Sequence, residues 1–327
     1  MMKDPVAKQP RTFNVVEYGA AGDGKTDDTQ AFSACLEAVI EAGGGRMYLP
    51  AGVYLGRIVI PAAGRDNWVP LEIAGESQPV MLFGTVGRTE MPNNNAIVKC
   101  PATSGPAVIS AATLGGFTRV QVAVRDLEVR TSPDPAIGGI DLEWAVQCRI
   151  ENVAINTGVY NVQASEPTHL AKGLITPAIN NGALTILRNV IVTGFHTGIV
   201  VNEHTDGNNI VVASNVHGLD FVDAYHASRF GRVGAYRCTN MLTVSGKHGF
   251  MIDQLNIEHA GPGQTDDNNV WQKTVFDIND PENLGVADIN YWVVEGAVGI
   301  SEVFTRNGGA SIRARRIGSA PMTRKGM

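Results

Sequence analysis

The apolar residues of the first fifty positions change period twice. Val15 and Val16 sit in a short β-prone run that Gly19, Gly22, Asp23 and Gly24 break with residues tolerant of positive φ. Phe32, Cys35, Leu36, Val39 and Ile40 then recur at helical spacing and form one apolar stripe. Asp27 and Gln30 have the spacing of a capping box, with Thr26 and Asp28 as rival caps, and Gly43, Gly44 and Gly45 stop the helix. Met47-Tyr48-Leu49 resumes as a strand that Pro50-Ala51-Gly52 turns, and Leu55–Ile60 and Leu71–Ala74 read as further strands. Pro61–Asn67 and Met91–Asn95 read as loops. One amphipathic helix ahead of a long β-like chain predicts a lid over an end of a β structure, where strand edges must be blunted.

From Val120 onward the pattern repeats. One anchor is a polar residue, usually Asn, before an apolar one: Asp126-Leu127, Asn152-Val153, Asn189-Val190, Asn209-Ile210, Asn240-Met241 and Asp288-Ile289. A second is a glycine leading into an apolar residue: Gly139-Ile140, Gly173-Leu174, Gly198-Ile199, Gly218-Leu219 and Gly249-Phe250. Val190 to Gly198, Ile210 to Gly218 and Met241 to Gly249 are each eight residues. Such spacing predicts stacked coils of strand, turn and strand, with equivalent positions about 4.8 Å apart along one axis. Coil length is 20 residues from Gly198 to Gly218 and 31 from Gly218 to Gly249, and a further insertion falls between Val153 and Gly173. Insertions in a solenoid become loops on one face, often the binding face.

The run YGAAGDGKTDDTQAF, followed by GGGRMYLPAGVYLGRIVI, resembles the N-terminal signature of the pectate-lyase-like superfamily, which includes rhamnogalacturonase- and epimerase-like proteins, polygalacturonase relatives and phage tailspikes. The resemblance implies an all-β chain: a single-stranded right-handed parallel β-helix of eight to ten coils with an N-terminal capping α-helix. It is architectural, so Asp27 and Asp28 are expected to cap the helix rather than to catalyse. The polygalacturonase-like branch carries NTD, DD, GHG and RIK motifs. Here Asn156-Thr157-Gly158, Lys247-His248-Gly249 and Ser311-Ile312-Arg313 depart from them, so that branch's catalytic residues are not carried over. The acidic calcium cluster of classical pectate lyases is also missing. Tailspike relatives make a homotrimer an expected assembly, and a secreted or virion-associated setting suits the resemblance.

Composition agrees with an ordered, turn-rich β chain: 44% hydrophobic, 18% charged, 37 glycines. No composition break divides it, so one domain is expected over 1–327. Residues 1–12 are extended, 13–54 form the capping segment, 55–310 the coils and 311–327 a basic tail with five positive charges and no acid. A net charge of −6 argues against a nucleic-acid surface. No stretch approaches the ~20 apolar residues of a membrane span, and MMKDPVAKQP shows no signal peptide. Cys35, Cys100, Cys148 and Cys238 are widely spaced, which predicts buried free thiols.

Candidate chemistry gathers late in the chain. Six of the seven histidines fall between His196 and His259, together with Glu203, Asp206, Asp220, Asp223, Asp253 and Glu258. Glu203 is five residues after Gly198 and Asp223 five after Gly218; Asp206 and His226 are each eight after the same glycines. A constant register would stack Glu203 on Asp223 and Asp206 on His226, and two carboxylates so close would raise one pKa. Paired carboxylates suit glycoside cleavage, which needs them roughly 5–9.5 Å apart. The predicted catalytic residues are therefore Glu203, Asp206 and Asp223, with Asp220, Tyr225, His226, Arg229 and Arg232 holding a carbohydrate. A second reading is a uronate lyase or epimerase with Arg229, His226 or Lys247 as base, and a third is a non-catalytic glycan-binding or tailspike-like β-helix. No cofactor is expected. The spacing of Asp206, His204 and His226 matches no metal-ligand pattern.

Overall fold

The computed structural model describes residues 11–62, 68–79, 95–111, 120–132, 137–157, 170–178, 184–202, 204–236, 238, 240–244, 248–258, 274–280, 286–295, 302–308, 311–314 and 317–320; the side chains of 223–227, of 248–249 and of nearly all residues beyond 257 lie outside that description. All described strand pairs are parallel, and each strand pairs with its equivalent one coil away. The chain is a right-handed parallel β-helix.

A coil is best read from Thr197 to Ala213. Thr197–Asn202 is a straight strand of what we term the second sheet, in register with Lys172–Ile175 before it and with His217 onward after it. The chain turns a corner at His204 and runs Thr205–Ala213 through the first sheet, in register with Thr185–Thr193. That strand is bent in its middle, where Asn209 takes φ +55°; Asp126, Asn152 and Asn189 do the same at +57°, +56° and +52°. Left-handed backbone costs an L-residue energy, and Asn and Asp tolerate it best. The side chains at this bend also meet. Asn152 donates to Asp126, Asn189 to Asn152 and Asn209 to Asn189, each at 2.8 Å. The polar anchor of the sequence repeat is thus a ladder of amides along one edge of the solenoid. Replacing Asn189 by Ala removes two rungs at about 1 kcal/mol each and puts a less suited residue at positive φ. A urea midpoint lower by the equivalent of about 2–3 kcal/mol is expected, with Asn189→Gly recovering the backbone part. An unchanged midpoint would mean that the ladder adds nothing.

Inside, equivalent positions stack apolar side chains. Met47, Ile73, Val124, Ile150 and Leu187 form one buried column. The column reaches Gly207, whose missing side chain makes room for the ring of Phe230 from the next coil. Phe230 meets Phe221 edge-on, and Phe221 stacks on Phe250 at 4.1 Å. On the second sheet the glycine anchors Gly139, Gly173, Gly198 and Gly218 stack, each facing the backbone oxygen of the next coil.

Several expectations need correction. Asn240-Met241 pairs with His217-Gly218, so Met241 continues the glycine column and not the amide ladder. Gly249-Phe250 belongs to the first sheet, where Phe250 pairs with Ser228. The eight-residue interval survives with other partners, from Val233, which pairs with Ile210, to Met241. Asp288 pairs with Met251 and lies outside the ladder. The coil after Gly218 is therefore 23 residues long, ending at Met241, rather than 31.

At the N-terminus Thr12–Asn14 is the strand, and Val15–Tyr18 is a 3₁₀ turn closed by Gly19 rather than a strand. Gly56, at φ +144°, splits the expected Leu55–Ile60 strand into Gly52–Leu55 and Ile58–Ile60. The helix spans Thr29–Glu41, buries Phe32, Cys35, Leu36 and Val39, and packs on the first-coil strands Thr12–Asn14, Gly45–Leu49 and Ile58–Ile60. Asp27 stands one residue ahead of the N-cap and accepts the Thr29 N–H at 2.9 Å, so it supports the helix start without capping it. Asp28 does not cap. It is buried and ties down the preceding loop by accepting from the N–H of Ala21 at 2.6 Å. All four cysteines are free and buried, and burial pushes the thiols of Cys35, Cys148 and Cys238 up to about 12.

Candidate functional site

The corner between the two sheets is built on buried hydrogen bonds. Asn202 donates its N–H to the Thr176 hydroxyl at 2.8 Å and its side-chain amide to the Thr176 carbonyl at 2.7 Å. Thr205 donates its hydroxyl to the Asn202 carbonyl at 3.2 Å and its N–H to the Ser228 hydroxyl at 3.1 Å. Three successive coils are thereby pinned where the chain changes sheets. Buried polar groups that are fully paired in this way rigidify a structure.

Two register pairs fix the next coil on either side of this corner. Asp223 lies opposite Asn202, after a slip of one residue, and Arg229 lies opposite Asp206. Between those pairs the first coil has residues 203–205 and the second has 224–228, three against five. The added length of the 23-residue coil is therefore confined to the corner, between Phe221 and Arg229. Glu203 lies outside the described residues, as do the side chains of Asp223, Tyr225 and His226. The expected stacking is shifted: Asp223 faces Asn202 rather than Glu203, and Asp206 faces Arg229 rather than His226. Both expectations assumed equal coil lengths, and the extra corner residues break that assumption.

Asp206 is exposed at the start of its strand. Arg229 forms an ion pair with Asp253 one coil further on, at 3.0 Å, and Asp253 also accepts the Asn290 amide at 2.8 Å. With side chains 66% and 36% exposed, that pair adds little stability and serves to orient the guanidinium. Arg232 is exposed and follows Asn209 in the ladder column, where it ends the amide series. Asp220 is not on this face. It pairs with Val200 and Thr243 on the second sheet, three residues before the corner.

Position-by-position reading missed a second row of polar groups. Asp141 lies in the same outward row of the second sheet as Asp220, with Ile175 and Val200 between them. Three strand spacings, roughly 14 Å, separate the two, too far for a carboxylate pair to act on one bond. Burial raises the Asp141 pKa, while the Glu143 N–H and Lys172 act the other way. The signal was in the sequence: Asp141 is two residues after Gly139, as Asp220 is after Gly218. On the same sheet the His196 and His217 rings meet edge-on at 5.1 Å, and His217 Nδ1 lies 2.9 Å from the Thr243 hydroxyl. Among the described residues no group of three or more His, Cys, Asp or Glu could hold a metal ion, and no helix is long and apolar enough to cross a membrane.

Residues 12–239 match the family described as rhamnogalacturonase A/epimerase, pectate lyase-like. Alginate lyase 7 of Azotobacter vinelandii is 57% identical over 42 residues, 13% of this chain and 5% of that protein. The capsule KN3-specific depolymerase 1 of Klebsiella phage KN3-1 is 25% identical over 150 residues, 46% of this chain and 18% of the depolymerase. The chain thus spans a small part of the length of either relative. Among solved structures, ORF18 of Geobacillus virus E2 aligns with a TM-score of 0.47 at 15% identity, over 95% of this chain and 62% of that one.

Proposed function

This chain belongs to the rhamnogalacturonase A/epimerase, pectate lyase-like family, and we propose that it is an enzyme acting on the glycosidic bonds of a polysaccharide at the corner between the two sheets. The observation that carries the reading is the pinned corner with unequal arms, where Asp223 and Asp206 sit at opposite ends of a short span held by the Thr176–Asn202–Thr205–Ser228 bonds. Glu203 lies in the sequence between Asn202, which Asp223 faces, and Asp206. Rigid support under a locally lengthened loop is the arrangement in which solenoids carry sites.

In this reading Asp223 or Glu203 donates a proton to the leaving oxygen of the glycosidic bond. The other carboxylate, or Asp206, activates water or attacks the anomeric carbon. Arg229, steadied by Asp253, and Arg232 bind the sugar chain from the first-sheet side, and Tyr225 and His226 on the longer arm are assigned to the same task. Asp220 is left out, because it occupies a row of the second sheet.

One observation favours elimination or epimerisation as a second reading. Arg229 lies opposite Asp206, next to the lengthened arm that carries His226, so a cation stands ready to bind a uronate carboxylate beside a potential base. The shared 42-residue stretch with alginate lyase 7 does not decide the matter, because it covers only 5% of that enzyme. Incubation with alginate, polygalacturonate and a neutral galactomannan tests the alternatives. New reducing ends without ultraviolet absorbance are expected for hydrolysis, and both together for a lyase. Altered uronate proton resonances without chain cleavage would mark an epimerase. None of the three on a wide panel of bacterial capsules and plant polymers would sink the enzyme reading and leave a glycan-binding β-helix.

A further inference from the structure

The first sheet carries a groove of about 390 Å³ well before the corner, over the strands Gly45–Leu49, Val69–Gly75, Val120–Thr131 and Val146–Asn156. Its polar lining comes from Glu72, Gln121, Arg125, Gln147, Arg149 and Glu151. Gln147 is there because of a bulge. Val146 pairs with Gln121 and Arg149 with Ala123, so two residues on one strand, Gln147 and Cys148, lie against one on the other, Val122. Gln147 is the extra residue. It holds φ +50° and places its amide 2.5 Å from that of Gln121. The amide ladder makes no use of this left-handed residue, and a non-glycine bulge of this kind re-aims a side chain at some energetic cost.

The charges in the groove are already matched. Glu72 pairs with Arg46 at 3.2 Å and also with Arg125, which in turn contacts Asp126, and Arg149 lies 4.0 Å from Glu151. With a carboxylate beside each arginine, the groove favours a neutral or weakly acidic ligand over a multiply charged anion. What is offered instead is a set of donors and acceptors, amide and guanidinium beside carboxylate, of the kinds that bind the hydroxyls of a sugar. Pro70 lines the groove, and Trp68, two residues earlier and just ahead of the strand, is 58% exposed, on the other side of buried Val69. An exposed indole presents an apolar face suited to the C–H side of a pyranose ring.

We propose that this groove is a second glycan-binding site that holds a neutral or weakly acidic stretch of the same polysaccharide, away from the bond being processed. The ligand class rests on the function proposed above. The placement follows from register. Arg149 pairs with Ile186 and Ile186 with Asp206, so the groove ends two strand spacings, about 10 Å, from the corner on one continuous face. A polymer engaged at both points runs along the solenoid axis, and the protein then acts within long chains rather than on short ends.

The test uses the full chain with Trp68→Ala and Gln147→Gly, the glycine keeping the bulge conformation. Affinity electrophoresis through gels containing galactomannan, alginate or polygalacturonate is expected to retard the wild type in at least one. The double variant should bind that polymer at least tenfold more weakly, with an unchanged urea midpoint, and Asp223→Asn should bind like the wild type. Equal retardation of the double variant, or no retardation of the wild type by any of the three, overturns the proposal. If binding depends on Trp68 but no polymer is ever altered, the enzyme reading falls and the groove stands. If long polymers are turned over with the same KM by the double variant, the groove falls and the enzyme reading stands. Should the double variant lose its cooperative transition, Gln147→Gly alone carries the same comparison.

Discussion

Asp223→Asn is expected to lower kcat by about 10²–10⁴-fold on whatever polysaccharide the wild type processes, the range typical of losing one general acid or base. Asparagine keeps the size of the side chain and removes its proton chemistry. The fold should not notice the change. The corner is held by the bonds among Thr176, Asn202, Thr205 and Ser228. KM should stay within a few-fold and the melting temperature should not move. Asp206→Asn serves as the companion, because Asp206 occupies the other end of the span, opposite Arg229. Full activity in both variants would remove the corner as the catalytic site, whatever the substrate proves to be. A loss in Asp206→Asn alone would reassign the proton donor within the same corner.

The second large effect concerns Gly173. A Cβ there would lie 2.7 Å from the Gly198 carbonyl oxygen and 2.2 Å from Cγ1 of Val192. The valine can rotate, but the carbonyl is held by the hydrogen-bond ladder between coils and the next coil cannot back away without breaking it. Gly173→Ala is therefore expected to destabilise by about 3 kcal/mol or more, at the upper end for overpacking, read as a shift of the urea midpoint. Because each coil touches only its neighbours, the damage should also reduce cooperativity. A shallower transition, or a split one, is the sign to look for. A wild-type midpoint would show that coil spacing is softer than the parallel pairing implies.

The N-terminal helix, its glycine stop and the strand and turn after it were legible in the sequence because local chemistry decides them, whereas the 3₁₀ turn at Val15–Tyr18 was not. The repeat was legible wherever a side chain was required by the backbone. Asn at the left-handed bend and Gly at the close approach leave marks that survive any change of coil length. It failed at Met241, where the column no longer needs glycine and a chance Gly249 eight residues later took its place. The site was legible only in outline. Counting from Gly218 placed Asp223 near Glu203, yet three added residues between Phe221 and Arg229 shifted every register beyond them. No single residue announces a bulge of that kind. Gln147 was missed for the same reason, since its left-handed backbone arises from pairing with a strand 26 residues away.

The amide ladder also has a polarity. Asp126 at its head is a carboxylate and can only accept, which obliges Asn152 to present its NH₂ group to it and leaves the Asn152 oxygen for Asn189, and so on to Asn209. Every rung therefore points back toward the N-terminus. A newly formed coil brings the donor, and the acceptor is already in place on the coil before it. A coil one residue out of phase leaves an amide N–H and an oxygen of the ladder unpaired, so each rung ties the register of one coil to that of the coil before it.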